Sequence, residues 1–279
     1  MMLLTFFLTV FFVRDEKKKQ ILEWVWVPNA SPVYSPPVSP GPTKSSDEID
    51  MFHYMQAFDF LWPAYKSSEI IVEHEGFTLS YNERYEHPRW IAYRLDLDRL
   101  RNSLMVSKGM YRADPLVRTG SAYPEDYEKI LYVKGHMVPP EDLKWSHTAH
   151  SASYYMSTIC PQDSVFQQEL WWNLEKGIRG WTELYEKIYI VSGAHGGHRI
   201  NSKIVVPNYF YKILLVVHEK KLHGIAFWFP HPRKKYKAWR KYAYPIDRVE
   251  AWTGLNFFPT LPKEVAREVE GSYDEKLWP

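Results

Sequence analysis

The sequence predicts an α+β fold, and three observations predict it. Short runs rich in β-branched and aromatic residues recur along the chain, each of strand length and set off by turn residues. One longer stretch, residues 164–185, instead repeats its apolar residues at helical steps. The composition, 45% hydrophobic and 16% aromatic over 279 residues, supplies a sizeable core and excludes a wholly disordered or collagen-like chain. Strands interspersed with one long helix define the class.

Taken in order, the chain opens with residues 1–13, apolar at 11 of 13 positions. As a helix they would span about 20 Å, short of the roughly 30 Å of a hydrocarbon core. No basic residue precedes them, and Arg14-Asp15-Glu16-Lys17-Lys18-Lys19 follows in place of a small-residue cleavage site. Three readings stay open: a partial membrane anchor, a helix packed on a partner, or an unusual signal sequence of a secreted or periplasmic protein. Residues 28–45 hold six prolines in eighteen positions, a composition that favours extended polyproline-like chain and buries no core. The domain organisation read from this is an apolar segment and Pro-rich tail over residues 1–50, then a globular domain over 51–279. The tail is expected to contact other protein subunits.

Within the domain, residues 69–73, 78–81 and 90–95 read as strands, and so do 187–193, 212–218 and 224–229. Between these groups Phe166, Leu170, Leu174, Ile178 and Trp181 step by four and three, the mark of an amphipathic helix. Residues 246–257 and 262–270 also read as helical, the second opened by Pro262. Lys+Arg 35 against Asp+Glu 33 leaves +2, which argues neither for nor against a nucleic-acid partner. The single cysteine, Cys160, excludes an internal disulfide and any zinc site with two Cys ligands, and is expected to be buried and inert.

The chemistry concentrates after residue 132. His136 ends a strand-like run, held between Gly135 and the Met137-Val138-Pro139 segment, and the long helix that follows carries Gln167 and Glu175. Eight residues at about 100° each set Glu175 about 80° round the helix from Gln167, so both can border a groove that His136 faces. A neutral His suits a general base for water, and amide or carboxylate oxygens suit a hard cation such as Mg²⁺. Metal-assisted phosphodiester hydrolysis is the reaction this set allows; a structural His beside a polar-rimmed helix is the bland reading, which spacing alone favours. Elsewhere, His195 with His198 and His147 with His150 read as surface or loop pairs with no third ligand. Arg233, Lys234, Lys235, Lys237, Arg240 and Lys241, with Tyr236 and Trp239 between them, form a basic stretch suited to nucleic acid or to an acidic partner.

The segments KGHMVPPEDLKWSHTAHSASYYMSTICPQ (134–162) and FQQELWWNLEKGIRGW (166–181) resemble the D-R-G-H-x-x-P, S-N-x-x-P-Q and F-N-x-x-x-W-x-x-L-E blocks of the DNA/RNA non-specific endonuclease family. GFTLSYNERYEHPRWIAYRL (76–95), IYIVSGA (188–194), VPNYFYKILL (206–215) and IDRVEAWTGLNFFPTLP (246–262) resemble its other blocks in order. The resemblance implies a ββα-metal nuclease fold: a central antiparallel sheet and a long helix bearing the metal-site positions. It implies His136 as general base, Glu175 as the helix Glu near the metal, and Gln167 where the family has the Asn that binds Mg²⁺. Lys134 stands for the Arg of D-R-G-H, Val133 for its Asp, and Thr158 for the Asn of S-N-x-x-P-Q. A phosphate-contacting Arg of the family falls near Lys108 or Arg112. Gln adds a methylene at a site where Mg²⁺ demands near-ideal geometry, and Lys for Arg loses the planar fork. Two readings follow. The first is a degenerate nuclease scaffold retained as a subunit of a larger, mitochondrial inner-membrane-associated assembly. The second is a working Mg²⁺-dependent nuclease on DNA and RNA.

Overall fold

The computed structural model of the protein describes residues 62–232 and 235–279. The expectations for residues 1–50, and for Arg233 and Lys234, lie outside the described residues. Among these, seven strands form one antiparallel sheet: β1 (Ile70–His74), β2 (Phe77–Asn82), β3 (His87–Asp96), β6 (Lys187–His195), β9 (Tyr209–His218), β10 (Lys221–Pro230) and β11 (Ala243–Tyr244), adjacent in that order. The six runs expected as strands all lie in this sheet. β9 starts three residues earlier than its run, at Tyr209.

Period-two alternation gives the sheet two apolar faces. Along β9, Phe210, Leu214 and Val216 join one core with Leu79, Ile91, Ile178 and Phe227, while Tyr211, Ile213 and Leu215 join a second with Trp90, Ile246, Val249 and Phe257. Both faces are covered, which is why β9 reads as a continuous apolar run rather than as an alternating one.

The first face carries the long helix. It is one continuous helix from residue 164 to Tyr185, but Phe166–Trp171 is wound as a π-helix, and the α-helical length that follows it is Trp172–Tyr185 (α3). The helix spans the stretch the apolar stripe predicts, from residue 164, and the π winding within it is what the stripe does not show. The second face is covered by α4 (Ile246–Thr253) and α5 (Lys263–Gly271). α4 stops well short of residue 257 because Gly254 takes a left-handed conformation, φ 69°, and ends the helix there. Two short helices, α1 (Leu97–Arg101) and α2 (His147–Ala152), complete the fold with a separate two-stranded ribbon, β4 (Val133–His136) paired with β5 (Ile159–Gln162), and a smaller one, β7 (His198–Arg199) with β8 (Val205–Val206).

Candidate active site

The β4–β5 ribbon presents His136. Gly135 sits opposite Cys160 in the ladder, and a Cβ there would overlap the side chain of Gln162, so glycine lets the two strands close. His136 and Lys134, two apart, project from the same face of β4. The imidazole stacks on Tyr111 at 5.5 Å and meets the edge of Tyr154 at 5.2 Å. Its Nε2 is buried and without a hydrogen-bond partner. Burial first, then the positive charge of Lys108 and the neighbouring His150, push the imidazole down to about 4. It is therefore neutral at physiological pH, with a nitrogen free to take a proton.

The helix supplies the opposite wall. Trp171 Nε1 donates to the His136 carbonyl at 3.2 Å, tying the helix to the ribbon. The π turn advances fewer degrees per residue than an α turn, and so draws Gln167 towards the line of Trp171 and Glu175. His136, Gln167 and Glu175 line one cleft of about 380 Å³, closed on its other sides by Pro139, Pro140, Glu141 and Trp172. The structure thus brings together the three residues that the spacing had placed around one groove.

Glu175 is buried at the end of this cleft, 8% exposed. Period two on β9 puts Lys212 on the same sheet face as α3, and its Nζ lies 3.5 Å from Glu175 Oε1. Lys212 also donates to Ser192 Oγ, its register partner on β6, at 2.8 Å and sits 4.3 Å from the Trp171 ring centre. Arg179, one turn along α3, donates to Asp142 at 2.8 Å, and Tyr93 donates to the other oxygen of Asp142 at 3.2 Å. Burial raises the Glu175 carboxyl; Lys212 opposes this and Asp142 adds to it, leaving it at about 7. Glu175 Oε1 has no hydrogen-bond partner.

The other expected residues are dispersed. Lys134 does not line the cleft; its ammonium lies between Tyr111 and Tyr127, 5.6 and 5.5 Å from their ring centres. Lys108 is exposed and close enough to act on His136. Arg112 is committed elsewhere, donating to Ser151 Oγ at 2.9 Å and stacking on Tyr155 at 4.1 Å. Lys235, Lys237, Arg240 and Lys241 are exposed. Lys237 and Lys241 rim a different hollow, with Tyr209, Trp228 and Trp252 in its wall. Cys160 is wholly buried, and burial pushes its thiol well above the usual range. Among the described residues neither His195 with His198 nor His147 with His150 belongs to a three-ligand group. Sequence reasoning missed Trp171, Lys212 and the Asp142–Arg179 pair. The signal for Lys212 was a single cation inside the apolar run Tyr209–Val217.

The fold and cleft define a class, the ββα-metal nucleases. The sequence profile of DNA/RNA non-specific endonucleases matches residues 61–264, and the chain belongs to that family. It is 29% identical over 205 residues to the mitochondrial nuclease EXOG of Danio rerio, covering 67% of this chain and 60% of that protein. It is 26% identical to a nuclease of Nostoc sp. (71% and 76% covered), and 25% identical to mitochondrial endonuclease G of Homo sapiens (67% and 69%). The chain spans less than two thirds of the length of the Danio protein. In fold it is similar to a solved chain of the EndoG/EndoGI complex, with TM-score 0.64 and 20% identity, covering 79% of this chain and 96% of that one.

The nucleases of this family are metal-dependent, and the donors here fit a hard divalent cation. Gln167 offers an amide oxygen and Glu175 a buried carboxylate, whose Oε1 makes no hydrogen bond and has Lys212 Nζ 3.5 Å away, in one cleft.

Proposed function

We propose that the protein is a Mg²⁺-dependent nuclease that hydrolyses phosphodiester bonds in DNA and RNA without sequence preference. The observation that carries this reading is that His136, neutral and with its Nε2 unpaired, lines one cleft with Gln167 and Glu175. His136 takes the proton of the attacking water at Nε2 as the water oxygen bonds to phosphorus and the bond to the leaving sugar oxygen breaks. Gln167 would hold the cation and Glu175 support it; the cation's chemistry is to stabilise charge on the phosphate and on the leaving oxygen. Lys108 and Lys134 supply positive potential beside the base. The exposed indole of Trp172 at the cleft offers a stacking surface, and Lys235, Lys237, Arg240 and Lys241 a route for the backbone beyond it. The relatives named as mitochondrial support a mitochondrial location. No helix among the described residues is long and apolar enough to cross a membrane.

The test is digestion of plasmid DNA and of RNA by the purified chain. Mg²⁺-dependent cutting of both, abolished in His136→Ala, is the expected result. Absence of cutting by the wild type, with cutting restored in Val133→Asp/Lys134→Arg/Thr158→Asn/Gln167→Asn, would replace this reading with that of a retired scaffold.

A further inference from the structure

On the sheet face away from the cleft, α4 and α5 converge on three carboxylates. Asp247 and Glu250 are three apart on α4, a spacing that puts both on one side of a helix. Glu270 comes from the last turn of α5, and one oxygen from each of the three lies within 4.8 Å of the others. Asp247 is exposed and Glu250 half-buried, with its Oε1 held by the Phe257 N–H at 2.7 Å. Glu270 differs from both. It is 8% exposed, and its Oε1 is buried without any hydrogen-bond partner.

A buried carboxylate with an unpartnered oxygen, clustered with two further carboxylates, is costly unless a cation or a proton joins it. The charges acting on Glu270 are those of Glu250 and Asp247, both of its own sign; together with burial, which is the larger cause, they push its carboxyl up to about 8. The donors are all oxygen, the set that hard cations take. Ca²⁺ binds oxygens at about 2.3–2.6 Å in flexible geometry, so opposite ligands stand roughly 4.6–5.2 Å apart, a span that accommodates this cluster.

We propose that Asp247, Glu250 and Glu270 bind one Ca²⁺ that clamps α4 to α5, at a site distinct from the His136 cleft. The ion joins the two helices whose apolar sides, through Ile246, Val249 and Val269, cover the second face of the sheet. Its role is structural: it bears on how firmly that layer is held, and it does not depend on whether the cleft cuts nucleic acid.

The test is calorimetric titration of CaCl₂ into the full chain carrying Gln167→Ala, which removes the amide donor of the cleft, with thermal melting alongside. One Ca²⁺ per chain, a Kd below about 1 mM and a melting temperature that rises with Ca²⁺ are expected. Glu270→Gln and the exposed-site variant Asp247→Asn, each on that background, should lose at least tenfold in affinity. In metal-free buffer at pH 9, Glu270→Gln should melt no lower than its parent, because a neutral amide replaces an unpaired buried carboxylate; this sign separates loss of binding from loss of folding. No binding heat and no melting shift at 10 mM Ca²⁺, or binding that survives both substitutions, would overturn the proposal.

Discussion

Replacing Lys212 with methionine isolates the charge that keeps Glu175 ionisable. The ammonium is wholly buried, 3.5 Å from Glu175 Oε1, and Asp142 stands behind with its own partner Arg179. At an effective dielectric of about 20, a 3.5 Å pair is worth about 5 kcal/mol of attraction, part of which is offset by the desolvation of both ions. Removing one partner of such a pair costs about 3–5 kcal/mol when the other must stay charged. Glu175 has an escape, since its carboxyl already titrates at about 7 and can take a proton instead. The cost of Lys212→Met is therefore expected to depend on pH: about 3 kcal/mol at pH 8, where the wild-type carboxylate is ionised, and close to zero at pH 5, where it is already neutral and the buried ammonium is itself unpaired. Urea denaturation at both pH values measures this. At pH 8 the double variant Lys212→Met/Glu175→Gln should recover most of the loss. An equal loss at both pH values, or a coupling below about 0.5 kcal/mol in the double-mutant cycle, would refute the view of Lys212 and Glu175 as one titrating unit.

Four further outcomes are expected. The His136 imidazole titrates near 4 in the folded protein against 6.5 for the free group, so the folded state binds fewer protons between those values; stability should fall by up to about 3 kcal/mol as pH drops through that window, and His136→Gln should flatten the fall in pH-dependent melting. Glu175, raised from 4.5 to about 7, acts with the opposite sign, its contribution fading as pH rises through 4.5–7; Glu175→Gln should remove that fading in metal-free pH-dependent melting, and a fading that persists in the variant would exclude Glu175 as its source. Gln167→Asn shortens the amide arm by one methylene and should lower the Mg²⁺ concentration for half-maximal cutting by about tenfold, read from a Mg²⁺ titration of initial rates; Gly135→Ala, whose methyl would overlap Gln162, should cost about 1–3 kcal/mol in urea denaturation by prising β4 from β5.

What was legible in the sequence follows from how local each signal is. The six long strands and the Phe166–Trp181 stripe carry their period within a few residues, so they could be read directly. His136, Gln167 and Glu175 could be grouped because the two helix residues share a face and the His stands at a ribbon end in a recognisable block. The charge network behind them could not. Asp142, Arg179 and Lys212 come from three separate elements and meet only once β9 lies beside β6 under α3. The π turn was equally hidden, since Phe166, Leu170 and Leu174 step by four in either winding, and the difference lies in how far Gln167 is swung.

That network also bears on the four departures from the family's blocks. Val133 projects from the opposite face of β4 to His136 and is 37% exposed, so the missing carboxylate leaves no buried vacancy beside the base. Thr158 is wholly buried, and its hydroxyl donates to the Ser153 and Tyr155 carbonyls at 2.7 and 2.9 Å, which satisfies it where it stands. Lys134 keeps its positive charge, cushioned between two tyrosine rings. These three changes are absorbed locally, without disturbing the His136 ring or the Glu175–Lys212 pair. Gln167 alone lines the cleft and offers the donor a cation would meet, so the cation affinity of the site turns on that one methylene and on the π turn that positions it.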